Sequence, residues 1–255
     1  LSSNACGFAI AGDTLSAAAN GRYDIKGGAL KLEGLADVAK LSQLSPFAGM
    51  ARGNWTVERA SPQAPWRITA NAAGRNVGSS DAVLARLAGP TPAVKLSALF
   101  DDGRFSIESG DFLGAGVEAH MTGRVSDKGA IAAHALGRLR RPLDLGGAKL
   151  NALSFDAEIS GKSSAPVIDA HVSNGAALVA GLQLSGVTGA GRIALGDKPV
   201  GNLGLAGVAE GQPLTVRANI AGDKGAWTLT NSQLKLGALQ FDAPRIAVDK
   251  AGAID

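Results

Sequence analysis

The stretch QPLTVRANIAGDKGAWTLTNSQLKLGALQFDA, residues 212–243, puts Leu214, Val216, Ala218 and Ile220 on every second position, turns at Gly222-Asp223-Lys224-Gly225 and resumes alternating. A period of two sends successive side chains to opposite faces of a strand, so each run has one dry face and one wet face. The pattern recurs along most of the chain. Trp66, Ile68 and Ala70 alternate with Arg67, Thr69 and Asn71; Val94, Leu96 and Ala98 with Lys95 and Ser97; Phe105 and Ile107 with Arg104, Ser106 and Glu108. Further runs follow at Val117/Ala119/Met121, Phe155/Ala157/Ile159, Ile193/Leu195, Leu203/Leu205 and Ile246/Val248.

Between the runs lie turn signals of one kind: Asp101-Asp102-Gly103, Asp127-Lys128-Gly129, Gly222-Asp223-Lys224-Gly225 and Asp249-Lys250-Ala251-Gly252. Gly and Asp tolerate the positive φ that tight hairpins need, so successive strands are expected to be antiparallel neighbours. Glycine supplies 35 of the 255 residues, roughly twice average usage, which fits a chain of many short turns. A loose module also repeats, since the segment from Gly103 to Gly129 runs turn, strand, short bridge, Leu- or Phe-containing strand, strand and Asp-Lys turn in the same order as that from Gly225 to Gly252. Recurrence on this scale argues for stacked β units. The expected fold class is all-β, an elongated and repetitive antiparallel sheet curled into a U-shaped groove, with one or two short helices. Those helices are expected at Leu35–Leu44, where Leu35, Val38, Leu41 and Leu44 have three-residue spacing, and at Ser80–Leu87, with Asp81 as its cap. Residues 1–255 read as a single groove segment of a longer protein, because the chain starts at Leu1 without methionine or a targeting sequence.

The same residues argue against several functions. With 25 basic against 22 acidic residues, no field gathers nucleic acid, and the Arg138/Arg140/Arg141 cluster lacks interleaved aromatics; it reads as a solvated strand edge. Cys6 is the only cysteine, so no internal disulfide forms, and it reads as a small buried hydrophobe. The longest apolar run, Ala176–Leu182, falls far short of the roughly 18 residues a membrane span needs. His120, His134 and His171 are dispersed without metal-ligand spacing, and alternation puts His120 on the wet face with Glu118 and Thr122. No metal or other cofactor is expected. Asp101, Asp102, Asp111 and Glu118 are the nearest approach to a carboxylate pair, yet their neighbouring glycines read as turn chemistry. No nucleophile or nucleotide motif is present, and an enzyme is not expected.

The dry face is therefore the candidate working surface. A two-sheet sandwich fills a gap of about 10 Å with large side chains, whereas here many dry positions are Ala, Gly or Val, as at Val117-Ala119, Ala133-Ala135 and Ala218. An open trough could instead bury something apolar, and an acyl chain needs only apolar area, worth roughly 0.8 kcal/mol per CH₂. The expected lining is Leu214, Val216, Ile220, Trp227, Leu229, Leu234, Leu236, Leu239 and Phe241 in one part, and Phe105, Ile107, Val117, Phe155 and Ile159 in others. A closed core made of the same residues is the competing reading.

The run YDIKGGALKLEGLADVAKLSQLSPFAG, the LARLAGP element followed by VKLSALFDDGRFSIESGDFLGAGVEAHMTGRV, and the segment from GLQLSGVTGAGRIALG to ALQFDA resemble TamB and the wider AsmA-like proteins. The resemblance covers nearly the whole chain and rests on the repeating pattern. It implies a Gram-negative envelope protein in the periplasm, tethered to the inner membrane by an anchor outside these residues, which carries phospholipid along its groove toward the outer membrane. It also implies an outer-membrane barrel partner of the Omp85/BamA type for the parent protein. Two alternatives stand beside it: a scaffold or chaperone for outer-membrane protein assembly, and a β-solenoid surface adhesin.

Overall fold

A computed structural model describes residues 3–43, 45–145, 148–179, 181–223 and 226–248. By internal contacts the chain divides into two units, Leu1–Lys128 and Gly129–Asp255. Both are antiparallel meanders, as the alternation and turns require, and the all-β expectation holds.

Unit 1 holds β1 (Ser3–Ile10), β2 (Leu15–Asp24), β3 (Leu30–Val38), β4 (Phe47–Arg59), β5 (Trp66–Ser79), β6 (Ala93–Asp101), β7 (Arg104–Leu113) and β8 (Val117–Val125). Each strand pairs with the next in sequence. Within unit 1 β1 pairs with β2 and with no other strand of the unit, so this sheet does not close on itself. The β6–β7 hairpin turns on Asp102 at φ 46° and Gly103 at φ 74°, the positive angles expected of an Asp-Gly turn.

Unit 2 holds β9 (Ala130–Leu139), β10 (Leu143–Asp144), β11 (Ala148–Lys162), β12 (Ala165–Val179), β13 (Leu182–Ala194), β14 (Val200–Ala209), β15 (Gln212–Asp223), β16 (Ala226–Leu236) and β17 (Leu239–Val248). β9 and β10 share one edge of β11, interrupted at Arg140–Pro142, and the meander then runs in order to β17. The turn expected at Gly222-Asp223-Lys224-Gly225 lies partly outside the described residues, and that at Asp249–Gly252 wholly so.

Helix α1 (Ala82–Ala88) sits where the capping signal placed it, with the Asp81 carboxylate accepting from the Val83 and Leu84 backbone N–H groups at 2.8 and 3.0 Å. The helix expected at Leu35–Leu44 is a correction: Leu35–Val38 completes β3, and only Leu41–Gln43 forms a turn of 3₁₀ helix, while Leu44 lies outside the described residues. The three-residue spacing was outweighed by a ladder that pairs Leu35 with Ala18 and Asn54, and Val38 with Leu15 and Ala51.

No large side chain is fully buried among the described residues, and the buried apolar set is mostly alanine: Ala19, Ala88, Ala98, Ala177, Ala209 and Ala218, with Val77 and Leu143. The accessible surface is 15611 Å². Two separate compact bodies that shared the 25.6 kDa mass would expose only about 12,500 Å². The difference is the signature of sheet without a second layer over its apolar face.

Candidate functional site: an uncovered apolar face in each unit

Strand register assembles the dry positions into rows that cross the sheet. In unit 2 one row reads Gly137, Phe155, Val172, Gly189, Leu205, Val216, Leu234 and Phe241, each the backbone partner of the next. A second reads Ile159, Ile168, Ile193, Gly201, Ile220, Leu229 and Ile246, and a third joins Leu214, Leu236 and Leu239. Trp227 faces Gly222. In unit 1 Phe105 lies between Phe100 and Val125, Ile107 between Ala98 and Gly123, and Val117 shares its face with Ala119 and Met121. Each residue expected to line a groove therefore stands on the apolar face of its own unit.

A bulge makes this possible in β16. Trp227 and Leu229 are odd-numbered while Leu234 and Leu236 are even-numbered, so strict alternation would send them to opposite sides. The extra residue falls between the Asn219–Thr230 and Arg217–Gln233 pairs, where Asn231 adopts φ 49°. A bulge with one residue in the left-handed region resets the phase. Asn76 in β5 and Asn174 in β12 take the same conformation at φ 51° and 53°.

Both sheets curl toward the apolar face. A Cβ on Gly34 would meet the Ala18 carbonyl oxygen at 2.0 Å, one on Gly21 that of Lys31 at 2.1 Å, and one on Gly201 that of Arg192 at 2.2 Å. Gly204, on the opposite face, has its nearest neighbour at 4.0 Å. Phe8 and Trp55 lie three strands apart in one row, about 14 Å on a flat ladder, yet lean over Ala19 and Gly34 until their ring centroids are 6.0 Å apart. The result is a trough in each unit, with large apolar side chains open to its interior: Trp227 and Leu234 are each 37% exposed, Phe241 60%.

The outer face is polar. Arg67 bridges Glu58 and Glu108 at 4.0 and 2.9 Å, Arg52 meets Asp37 at 3.4 Å, and Arg192 meets Asp169 at 3.3 Å. His120 is bonded to Asp111 and His134 to Asp156, both at 2.7 Å and solvent-exposed. Asp111 lies within β7 opposite Lys95 and His120, not in a turn, which corrects the reading of its neighbouring glycine. No group of three or more potential metal ligands occurs among the described residues. Cys6 is half-buried on the apolar face opposite Gly21. Gln240 and Gln233 donate to the Asp242 carboxylate and hold its pKa below the usual range.

One charged residue stands in the apolar rows and was not singled out from the sequence. Arg59, at the end of β4, pairs with Leu30, the partner of Tyr23, and stands beside Trp66, which leads the row through Phe100 to Phe105. Its guanidinium lies 5.1 Å from the Trp66 ring centroid and its Nε donates to the Ala64 carbonyl at 2.9 Å. The signal was its odd-numbered phase with Trp55 and Val57. Toward the other ends of these strands, α1 and the 3₁₀ turn close over the sheet, leaving an apolar pocket of about 210 Å³ lined by Leu41, Phe47, Ala72, Ala88, Val94 and Phe112, among others.

No family model, no curated protein and no solved structure matches this chain.

Proposed function

We propose that this chain is a non-enzymatic lipid-binding segment that holds phospholipid acyl chains against the apolar faces of its two units. The observation that carries the reading is the uncovered face itself. Rows of Leu, Ile, Val and Phe, uncharged throughout unit 2, lie open without a covering layer. Exposed apolar patches of this kind mark sites for apolar partners, and curled aliphatic walls suit a chain that slides. Together with the resemblance to AsmA-like proteins, this supports a bridge segment in the periplasm of a Gram-negative cell. An anchor elsewhere in the parent protein would hold it to the inner membrane, and lipid would pass toward the outer one. An Omp85/BamA-type barrel is the proposed outer-membrane partner of that parent.

The test is photo-crosslinking in the cell envelope with a probe at Val216 or Arg217, adjacent positions on opposite faces of β15. Phospholipid adducts at 216 and not at 217 are expected. Adducts at 216 to the protein's own strands alone would overturn the reading.

A second reading draws on β1, whose sequence SNACGFAI carries no charge and no proline. Such an edge lacks the usual guards against strand addition and could capture an unfolded outer-membrane strand. Binding of a β-strand peptide without lipid binding would select that scaffold function.

A further inference from the structure

The trough of unit 1 is chemically polarised along its strands. At one lip stand Arg59 and the aromatic row of Tyr23, Trp66 and Phe100; at the other is the apolar pocket beneath α1. Arg59 is the only charge in the rows that run from β2 to β8. Its Nε is taken by Ala64 and its flat face rests near Trp66, an arrangement that fixes the guanidinium while leaving its terminal nitrogens for an acceptor from the trough. A cation beside Tyr and Trp is the pattern found where apolar and aqueous phases meet, because each of these side chains has an apolar body and a polar tip. The pocket offers nothing comparable: Ser45, its one hydroxyl-bearing residue, donates to the Leu41 carbonyl and accepts from the Phe47 N–H, so its hydrogen bonding is internal.

The walls of that pocket are fixed. The Ala88 and Leu87 carbonyls accept from the Ala115 and Gly116 N–H groups, each at 3.0 Å, and Pro92 and Pro90 accept from Gly74 and Val77. A Cβ on Gly114 would meet the Leu87 oxygen at 2.2 Å, so only glycine permits this approach. From Arg59 to the Gly53–Ala72–Val94–Phe112 row that enters the pocket is six residues of β4, about 20 Å along an extended strand. One leaflet of a bilayer core, half of roughly 30 Å, gives an acyl chain plus its headgroup a comparable reach.

We infer that unit 1 seats one acyl chain in a fixed orientation, with an anionic phosphate or carboxylate headgroup on Arg59 and the terminal methyl end in the pocket under α1. This rests on the lipid-binding reading above and adds direction, stoichiometry and headgroup charge to it. The chain lies along the strands, and the aromatic row covers its junction with the headgroup.

Delipidated protein is titrated with palmitate, lysophosphatidate and the uncharged hexadecanol, using chains brominated near the headgroup or near the methyl end. Trp55 and Trp66 are read separately in the W66F/W227F and W55F/W227F variants. Headgroup-proximal bromine is expected to quench Trp66 more than methyl-end bromine does. Arg59→Gln is expected to weaken both anionic ligands about ten-fold, the scale of a lost charged hydrogen bond, and to leave hexadecanol unchanged. A larger loss for lysophosphatidate assigns a phospholipid source, and an equal loss assigns any anionic lipid. Ala72→Leu, which fills the pocket, is expected to shift the preference of the protein toward shorter chains. Binding with position-independent quenching, or an Arg59→Gln loss equal on charged and neutral ligands, overturns the orientation and spares lipid binding. If no acyl ligand quenches Trp55 or Trp66 in these variants, or any tryptophan of the wild-type protein with Trp227 in place, both readings fall.

Discussion

Glycine at Gly34 is held there by its neighbour across the ladder. Ala18 and Ala19 approach so closely that a Cβ would overlap the Ala18 carbonyl, and the shift required to relieve it is backbone, which cannot rotate away. Gly34→Val is therefore expected to destabilise unit 1 by about 1–3 kcal/mol, the usual cost of overpacking. Gly204→Ala is the control: its site has ordinary clearance and no positive φ, so it should be neutral or stabilising by some tenths of a kcal/mol, since alanine restricts the unfolded chain. Urea midpoints of the two variants test the pair, and equal loss in both would show that crowding at the apolar face does not set the curl. The sequence shows that glycine is abundant; which glycines lie under a neighbouring carbonyl emerges only from the register. Arg59 was hidden for the same reason. In VERASPQAP it looks like a turn residue, and its place in an apolar row emerges only from its pairing with Leu30.

At the scale of elements, what was legible followed from local chemistry. Asp81 and the hydrophobic spacing after it specify α1 without help, because a carboxylate satisfies two orphan N–H groups wherever a helix starts. The Leu35–Leu44 spacing failed because a strand ladder on both sides of β3 outweighs a weak helical period. Bulges fell in between. The apolar residues of β16 were identified, but their shared face requires the phase reset at Asn231. That site tests readily: Asn231→Val forces a β-branched residue to φ 49° and is expected to cost unit 2 about 1–2 kcal/mol, whereas Asn231→Gly should be tolerated. Next along the hairpin, Asp242 should titrate below the ordinary carboxylate value of about 3.9, chiefly because Gln240 and then Gln233 donate to its charged form. With a depressed folded-state pKa, its contribution to stability is present above the unfolded value and is lost as pH falls through the folded one. An NMR titration of the Asp242 carboxyl carbon checks this, and Gln240→Ala should move its midpoint upward.

For the molecule as a whole, thin sheet has a thermodynamic signature. An unfolded chain of 25.6 kDa exposes about 37,000 Å². Folding to 15611 Å² therefore buries about an eighth to a fifth less than folding into two compact bodies or one. The urea m-value tracks the surface exposed on unfolding, so the m-values summed over the protein's transitions should be lower by about that fraction. A sum at the full compact value would mean that the apolar faces are covered in solution. Ligand shifts the same balance, because anything that binds the native face and not the unfolded chain stabilises by mass action, about 2.7 kcal/mol at a hundredfold excess over Kd. Leu205 is 37% exposed in the row with Val216 and Leu234, so Leu205→Glu puts a charge in the trough where water can still solvate it. Its lipid-free stability should fall by less than about 1 kcal/mol, where a closed core would impose several for an unpaired charge. In the same variant the rise in thermal midpoint on adding phospholipid should vanish from the unit 2 transition. Retained stability with lost ligand response identifies the face as a binding surface, and gross unfolding of the variant identifies it as a core.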